Sequence, residues 1–238
     1  MRSITRADAD KWRSKLIADG LKPASVKHHL GNGRGLFREA VESELVITNP
    51  MRHFKAGTTP AVNDRYITPE ETTRILNHYK DIRLKAQFGL CRLAGLRIGE
   101  CDELNFDDIN WCRGTLKVRS PKTERHPGHE SRLVPICPQL MTILRQIYDA
   151  SADTHGKLLL LRGGNLRRKL IEGIKAAGVQ TWDRLFQASR SSCEKQWNSE
   201  GVPYVEKLMG HSAAVADKHC NNGVLPDDVY LKVTKKAL

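Results

Sequence analysis

Apolar residues recur at helical spacing near the start of the chain. Thr5 and Asp8 have the spacing of a capping box. The apolar residues that follow are Ala9, Trp12 and Leu16. Gly20 then interrupts the pattern, as a glycine commonly does beyond the end of a helix. The spacing predicts a first helix between Thr5 and Gly20.

Two further apolar stripes follow before the first strong break in the pattern. Ser25 can cap a segment that carries Val26 and Leu30, and the glycine-rich run 31–33 interrupts it. A third stripe consists of Leu36, Phe37, Ala40 and Val41. We therefore expect a small helical domain over residues 1–54, with its second and third helices separated at Gly31–Gly33.

Residues 55–66 show no hydrophobic periodicity and contain several residues that disfavour regular structure, so we expect an interdomain linker there. Thr68, Pro69 and Glu71 then supply a cap, a proline at the first helical position and an acid at the third. This pattern predicts a helix start. The second domain is expected to occupy residues 67–238.

The second domain also contains segments with the alternation of β-strands. Residues 115–119 and 131–136 alternate in this way, and 120–130 would form the loop of a hairpin. Helical spacing returns at 138–148 and again at 165–177. The expected fold is mainly α-helical with a small β-sheet.

The chain is strongly basic, with 39 Lys and Arg against 27 Asp and Glu and a net charge of +12. A charge of this size favours a polyanionic partner, although a basic surface without a partner is the alternative. Several cations lie on the predicted N-terminal helices, where they form either a solvated face or a surface that follows a DNA backbone. Those that we single out are Lys22, Lys27, Arg34 and Arg38.

The chain contains no motif for a metal or a nucleotide cofactor. Its six cysteines are scattered without a Cys-x-x-Cys pair, which is typical of reduced thiols in a cytoplasmic protein. The N-terminus has no apolar run of signal-peptide type, and the longest aliphatic string is far too short to cross a bilayer. No glycine-rich nucleotide-binding pattern is present. We expect no cofactor, no metal and no membrane association.

An arginine interrupts a largely apolar run in the second domain. Arg97 lies between Leu96 and Ile98, and its burial would be costly unless an anion paired with it. One possible partner is a nearby glutamate, Glu100 or Glu103. The other is the phosphate of a nucleic acid, because a guanidinium group fits two oxygens of a phosphate at once.

A second group of polar residues lies between positions 185 and 220. Arg190 lies in a segment of helical character that a Gly-Val-Pro turn ends, and a short apolar helix then stops at Gly210. His211 follows directly, and Cys220 comes nine residues later. Arg190 and His211 could both contact a phosphate.

These motifs resemble those of the tyrosine recombinase (phage integrase) family. Arg97 in Leu-Arg-x-Gly-Glu matches the first arginine of that family, and Arg190 matches the second. His211 in Gly-His-Ser and Lys122 in Pro-Lys-Thr match its histidine and lysine. The sequence departs from the family at two positions. Gln187 stands where the first histidine would be, and Cys220 stands where the nucleophilic tyrosine would be.

The resemblance implies an N-terminal helical core-binding domain of SAM-like type and a C-terminal tyrosine-recombinase catalytic domain. It also implies duplex DNA as the substrate, a homotetramer on that DNA, and a covalent 3′-phosphotyrosyl intermediate formed without metal or cofactor. In such a site the arginines and His211 hold the phosphate, and Lys122 protonates the departing 5′ oxygen. Arg125, in the same loop as Lys122, belongs to the expected DNA-binding residues.

The departures leave more than one function open. The nucleophile could be Cys220, or Tyr230 if the C-terminal segment folds differently from the family pattern. The primary hypothesis is an integrase that breaks and rejoins DNA strands. The alternatives are a recombinase-like DNA-binding protein with impaired cleavage, and a helix-turn-helix regulator whose arginines only contact the DNA backbone.

Overall fold

The structure is a computed structural model that describes residues 4–54, 65–119, 131–159, 165–210 and 233–234. The chain forms two compact units, Met1–Asn63 and Asp64–Leu238. The boundaries expected from the sequence, with a linker over 55–66, stay a prediction because most of that segment lies outside the described residues.

The N-terminal unit contains two helices, α1 (Arg6–Ala18) and α2 (Pro23–Glu42), within its described residues. The predicted capping box at the start of α1 is confirmed. The Thr5 hydroxyl accepts a bond from the Asp8 amide at 3.3 Å, and the Asp8 carboxylate accepts one from the Thr5 amide at 2.9 Å. One cluster of buried residues in this unit consists of Ala9, Phe37 and Met51, with Trp12, Val46 and Phe54 packed against them.

The expected break at Gly31–Gly33 is wrong, because α2 runs through it without interruption. A glycine lowers helix stability by about 1 kcal/mol relative to alanine, which tertiary packing can offset. Gly33 shows how this happens here. A Cβ at Gly33 would lie 2.5 Å from the Met51 sulfur, so the absence of a side chain allows the close approach of Met51.

The C-terminal unit is mainly helical with a small sheet, as predicted. Its helices are α3 (Pro69–His78), α4 (Ile82–Leu93), α5 (Ile98–Glu103), α6 (Pro138–Asp149), α7 (Leu166–Ala176), α8 (Leu185–Ser199) and α9 (Val205–Met209). Its strands are β1 (Ile109–Asn110), β2 (Thr115–Arg119) and β3 (Ser131–Pro135). The predicted capping box before α3 is confirmed, because the Thr68 hydroxyl accepts a bond from the Glu71 amide.

The three strands form an antiparallel sheet in the order β1-β2-β3. In the β2–β3 pair, Thr115 lies opposite Pro135 and Arg119 lies opposite Ser131. The predicted pairing of 115–119 with the strand that begins at Ser131 is therefore confirmed, and β1 is a short addition that the sequence analysis did not predict. The β2–β3 connection, residues 120–130, lies outside the described residues.

Helix α4 lies at the centre of this unit, packed against α6 and α8. Its residues Ala86 to Leu93 are all buried, including the polar Gln87 and the charged Arg92. Helix α9 packs against β3 and α8. These contacts bring the start of α5, the middle of α8 and the end of α9 to one place.

Candidate active site

Arg97 precedes the first residue of α5 and is held by the glutamate three positions later. The Arg97 amide donates to Glu100 Oε2 at 2.8 Å, and its Nη1 donates to Glu100 Oε1 at 2.9 Å. This arrangement follows from the Leu-Arg-x-Gly-Glu string, because an acid at the third helical position can fold back on the helix start. The Arg97 side chain stays 36% exposed. The salt bridge to Glu100 that the sequence analysis considered is therefore present.

Arg190 approaches the same glutamate from α8. Its side chain is only 5% exposed, and its Nη1 lies 3.9 Å from Glu100 Oε2. It also donates to two main-chain carbonyls, those of Gly95 and Met209. The structure thus brings together Arg97 and Arg190, which are 93 residues apart in the sequence, around one carboxylate.

A third arginine, which the sequence analysis did not single out, completes this cluster. Arg132 on β3 donates from Nη1 to Glu100 Oε1 at 2.9 Å and from Nη2 to Glu100 Oε2 at 2.7 Å. Its Nε donates to the Leu208 carbonyl at 2.9 Å. The only signal in the sequence was a charged residue in a strand next to apolar positions. We call Arg97, Arg132, Arg190 and Glu100 the arginine cluster.

The three guanidinium groups meet the end of α9 at three successive carbonyls. Arg132 donates to the carbonyl of Leu208, Arg190 to that of Met209 and Arg97 to that of Gly210. The last carbonyls of a helix have no partner within the helix and carry partial negative charge. The cluster therefore fixes the point at which the chain leaves α9, immediately before residue 211.

Two glycines with positive φ permit this close packing. Gly95 has φ +65°, and a Cβ there would lie 2.5 Å from the Met209 sulfur. Gly210 has φ +64°, and a Cβ there would lie 3.1 Å from the Arg132 guanidinium. A side chain at either position would strain the backbone as well as crowd the cluster.

The electrostatic balance of the cluster is positive, because three guanidiniums share one carboxylate. Burial raises the pKa of Glu100, but the hydrogen bonds and charge of Arg132, together with the bonds from Arg97, outweigh it and lower that pKa to about 2. Burial and the charges of Arg97 and Arg132 lower the pKa of Arg190 to about 10, against the opposing effect of Glu100. Arg190 is therefore charged at neutral pH, in a site that can accept a further anion.

The model of the phage integrase family matches residues 65–215 of this chain, which is more than half of its length. The chain belongs to the phage integrase family. The matched segment of this integrase-family chain includes Arg97, Arg190 and Gly210, which lie in the motifs that carry the resemblance in the sequence.

Comparisons with individual proteins agree with this assignment. The chain is 28% identical to the tyrosine recombinase XerC of Chromobacterium violaceum over 89% of this chain and 73% of that protein. It is 23% identical to a tyrosine recombinase of Thermosipho africanus over 88% of this chain and 77% of that protein. The recombinase family expected from the motifs is confirmed.

Two solved structures share the fold at low sequence identity. The Tn1549 transposon integrase, in complex with transposon right end DNA, matches with a TM-score of 0.71 and 14% identity, over all of this chain and 83% of that chain. A lambda integrase dimer bound to a COC′ core site matches with a TM-score of 0.69 and 20% identity, over 92% and 80%. The predicted fold class, mainly helical with a small antiparallel sheet, is confirmed.

Of the remaining residues that the sequence assigns to the site of this integrase-family chain, Gln187 lies within the described residues. Gln187 lies exposed on α8, where its amide nitrogen is 3.3 Å from the Ser191 hydroxyl. The others lie outside the described residues, and their roles stay predictions: Lys122, Arg125, His211, Cys220 and Tyr230.

The four cations predicted to contact DNA from the N-terminal unit all lie on α2 or at its N-cap. Lys22 is exposed at the N-cap, and Lys27 is half-buried on the first turns. Arg34 donates to the Phe54 carbonyl at 2.8 Å, and Arg38 is exposed and lies 3.7 Å from Glu42. All four are described, and their contact with DNA stays a prediction.

One buried cation lies apart from the arginine cluster. Arg92 on α4 is 1% exposed and donates to the Ile67 carbonyl from Nε at 3.2 Å and from Nη2 at 2.8 Å. Burial lowers the pKa of Arg92. These bonds join the centre of the unit to the segment before α3, which is a structural role.

Within the described residues, no helix is long and apolar enough to cross a membrane.

Proposed function

We propose that this chain is a site-specific DNA recombinase of the tyrosine type, which binds duplex DNA and holds one phosphodiester between Arg97 and Arg190. The observation that supports this proposal is the convergence of both arginines on Glu100, with more positive than negative charge around it. A phosphodiester would supply the missing negative charge. Membership of the phage integrase family supports the same reaction.

The arrangement of donors suits a phosphate. Guanidinium groups are planar, permanently charged and able to donate two parallel bonds to two oxygens. Arg190 is held in place by main-chain carbonyls and is nearly buried, whereas Arg97 is 36% exposed and can reach an incoming ligand. Arg190 would therefore define the position of the phosphate, and Arg97 would close on it.

The reaction that follows transfers the phosphoryl group of the DNA from the departing 5′ oxygen to a protein side chain. A protein nucleophile would attack phosphorus while Lys122 protonates the departing 5′ oxygen, which leaves a covalent 3′-phosphoprotein and a free 5′ hydroxyl. Arg97, Arg190 and His211 would stabilise the charge that develops on the non-bridging oxygens. Attack of a second 5′ hydroxyl would then rejoin the strands. The phosphate ester is conserved throughout, so the step consumes no high-energy cofactor.

We further propose that the active form is a homotetramer on paired DNA sites. Among structures with the same fold, one is a lambda integrase tetramer bound to a Holliday junction, with a TM-score of 0.66 and 20% identity. Another is a lambda integrase dimer bound to a core site. These assemblies belong to the relatives, and they support the proposal that this chain oligomerises on DNA.

The proposed nucleophile departs from the family pattern. Cys220 follows His211 by nine residues, the interval at which the family has its tyrosine. A thiolate next to arginines forms readily, but it extends less far than a phenol. Tyr230 is the other candidate in the same segment. This departure also favours a second candidate function, a DNA-binding protein that retains the phosphate site and does not cleave.

A nicked suicide duplex that carries the chain's own recombination site tests the proposal, because the released strand cannot religate. Covalent protein–DNA adduct is measured on a denaturing gel for wild type, Cys220→Ser, Tyr230→Phe and Cys220→Tyr. Adduct from wild type supports the recombinase, and the variant that abolishes it identifies the nucleophile. Adduct that appears only in Cys220→Tyr supports the non-cleaving function. If no variant forms adduct or binds the duplex, both candidate functions are excluded.

A further inference from the structure

Two buried cysteine thiols lie against each other where α4 meets α5. Cys91 on α4 and Cys101 on α5 have their Sγ atoms 3.9 Å apart, and the two residues are 1% and 0% exposed. The Cys91 sulfur also lies 3.9 Å from the amide nitrogen of Gln87, which is buried as well. The reaction proposed above uses neither thiol. We call Cys91 and Cys101 the thiol pair.

The thiol pair encloses the segment that carries the first arginine of the cluster. Residues 92–100, between the two cysteines, include Gly95, Arg97 and Glu100. The Gly95 carbonyl accepts a hydrogen bond from Arg190. Glu100, which directly precedes Cys101 in the chain, accepts hydrogen bonds from Arg97. A change in the distance between α4 and α5 at the thiol pair would therefore move the groups that orient Arg97.

The resting protein keeps this pair as two thiols. Burial, together with the hydrogen bond to Cys91, raises the pKa of the Cys101 thiol well above its usual value. Since the thiolate is the reactive form, a small oxidant can attack the pair only when the structure opens locally. Helix α5 has only six residues, so such an opening disrupts few helical hydrogen bonds. Oxidation of the pair should be slower than that of the exposed Cys112.

We propose that the thiol pair is a site of oxidative modification, where a peroxide forms a disulfide between Cys91 and Cys101 that weakens the contact of Arg97 with a DNA phosphate. One thiol attacks the O–O bond of hydrogen peroxide, which gives a sulfenic acid and one water. The neighbouring thiol attacks that sulfur, so that the disulfide forms and a second water leaves. The two thiols lose two electrons and two protons, and hydrogen peroxide is reduced to two waters.

The disulfide disturbs the arginine cluster because its two sulfurs must come closer. An S–S bond is about 2.0 Å long, against 3.9 Å between the sulfurs of the thiol pair. Rotation of the side chains or movement of α4 and α5 has to supply the difference. A binding site tolerates a displacement of only about 0.5 Å. We therefore expect affinity for DNA to fall about tenfold, and this part of the inference rests on the proposed function.

Peptide mapping of the full chain tests the modification itself. After treatment with hydrogen peroxide and alkylation of the remaining thiols, trypsin releases Cys91 in peptide 86–92 and Cys101 in peptide 98–113. A disulfide joins these peptides with the loss of two hydrogens. Peptide 98–113 also contains Cys112, so the mapping is repeated in Cys112→Ser, where the joined species should persist. The proposal is overturned if the peptides are joined only when Cys112 is present, or not at all.

Binding to a duplex that carries the chain's own recombination site tests the consequence, by fluorescence anisotropy before and after peroxide. Wild type and Cys112→Ser should lose affinity about tenfold and recover it with dithiothreitol. Cys91→Ala should bind as reduced wild type does, both before and after treatment. If Cys91→Ala does not fold, Cys101→Val supplies the same measurement with an apolar side chain in the buried position. An equal loss in these variants would assign the effect to another thiol, such as Cys220, and overturn the proposal.

Arg97→Gln distinguishes an effect at Arg97 from a general disturbance of the fold. Its affinity should not fall further on oxidation, and oxidised wild type should show the same reduction of the salt slope, by about one. A further tenfold loss in oxidised Arg97→Gln would show that the disulfide does not act through Arg97. If reduced wild type does not bind the duplex, the proposed function fails and the effect on DNA fails with it, whereas peptide mapping still decides whether the disulfide forms.

Discussion

Arg132 forms two parallel hydrogen bonds to Glu100, at 2.9 and 2.7 Å, and both side chains are nearly buried, at 10% and 4% exposed. The same carboxylate also accepts a hydrogen bond from Arg97 and lies 3.9 Å from Arg190 Nη1. The two arginines expected to hold a phosphate are therefore oriented by a pair formed between a strand and a helix. This strand arginine donates two side-chain bonds to the carboxylate around which the other two lie, at 2.9 and 2.7 Å.

Replacement of Arg132 by lysine should destabilise the C-terminal unit, although it preserves the charge. A single ammonium group cannot span both carboxylate oxygens and also reach the Leu208 carbonyl. We expect the free energy of unfolding in urea to fall by about 2–4 kcal/mol, because Glu100 stays buried with fewer donors.

Arg119→Lys provides the matched comparison for this prediction. Arg119 forms a 3.2 Å pair with Asp108 from a side chain that is 49% exposed. Asp108 is buried, but its carboxylate also accepts a bond from the Asn105 amide, and a lysine can replace the single bond from Arg119, so the loss should be less than about 1 kcal/mol. Equal losses of stability in the two lysine variants would show that the pair between Arg132 and Glu100 does not organise the cluster.

The depressed pKa of Glu100 predicts a specific loss of stability in acid. Its folded-state pKa of about 2 lies below the ordinary value of 4.5, so the folded state favours the carboxylate. The associated stabilisation, about 3 kcal/mol, is fully present above pH 4.5 and is lost as the pH falls towards 2. In urea unfolding, the stability difference between wild type and Glu100→Gln should be constant near neutral pH and shrink over this interval.

Glu103→Gln is the control for the acid measurement, since Glu103 lies on the same helix and its side chain is 54% exposed. Its difference from wild type should change little over the same interval of pH. A Glu100→Gln variant that loses stability in acid as steeply as wild type would contradict the assigned role of this carboxylate.

Much of the local structure could be predicted because it depends on neighbouring residues. The caps at Thr5 and Thr68 and the strand at Thr115–Arg119 follow from short patterns, and all are present. The break expected at Gly31–Gly33 failed because local propensity is weak beside tertiary packing. The contact of Gly33 with Met51, a residue 18 positions away, was not visible in the sequence.

The candidate site was only half predictable for a related reason. The motif around Arg97 and the segment around Arg190 both have recognisable spacing, and the structure brings them together. Arg132 has no such motif, and its partners are a side chain 32 residues earlier and a main-chain carbonyl 76 residues later. A carbonyl acceptor is present at every residue, so no sequence pattern indicates which one an arginine will bind.

Gly95→Ala should destabilise the C-terminal unit by about 2–4 kcal/mol. The substitution combines a backbone with φ +65° and a Cβ that would lie 2.5 Å from the sulfur of buried Met209. Gly178→Ala separates these two effects, because Gly178 has φ +70° and nothing within 4 Å of its Cβ position. That control should lose only about 1–2 kcal/mol in urea unfolding. Equal losses would show that crowding at Met209 has no effect.

Arg97 and Arg190 should respond differently to replacement by glutamine, because only Arg190 is nearly buried. Arg190→Gln loses bonds to two main-chain carbonyls, so we expect unfolding to become easier by about 2–4 kcal/mol. Arg97→Gln should weaken binding to the cognate duplex and reduce the salt slope by about one, with a smaller effect on unfolding.

The control for Arg97 is Arg74→Gln, which removes the same charge from an exposed position on α3. Fluorescence anisotropy titrations at several salt concentrations measure both affinity and slope. A slope that falls equally in the two variants would indicate a general effect of net charge. A slope that falls only in Arg97→Gln requires a phosphate at Arg97, which places the DNA contact at the arginine cluster rather than on the basic surface as a whole.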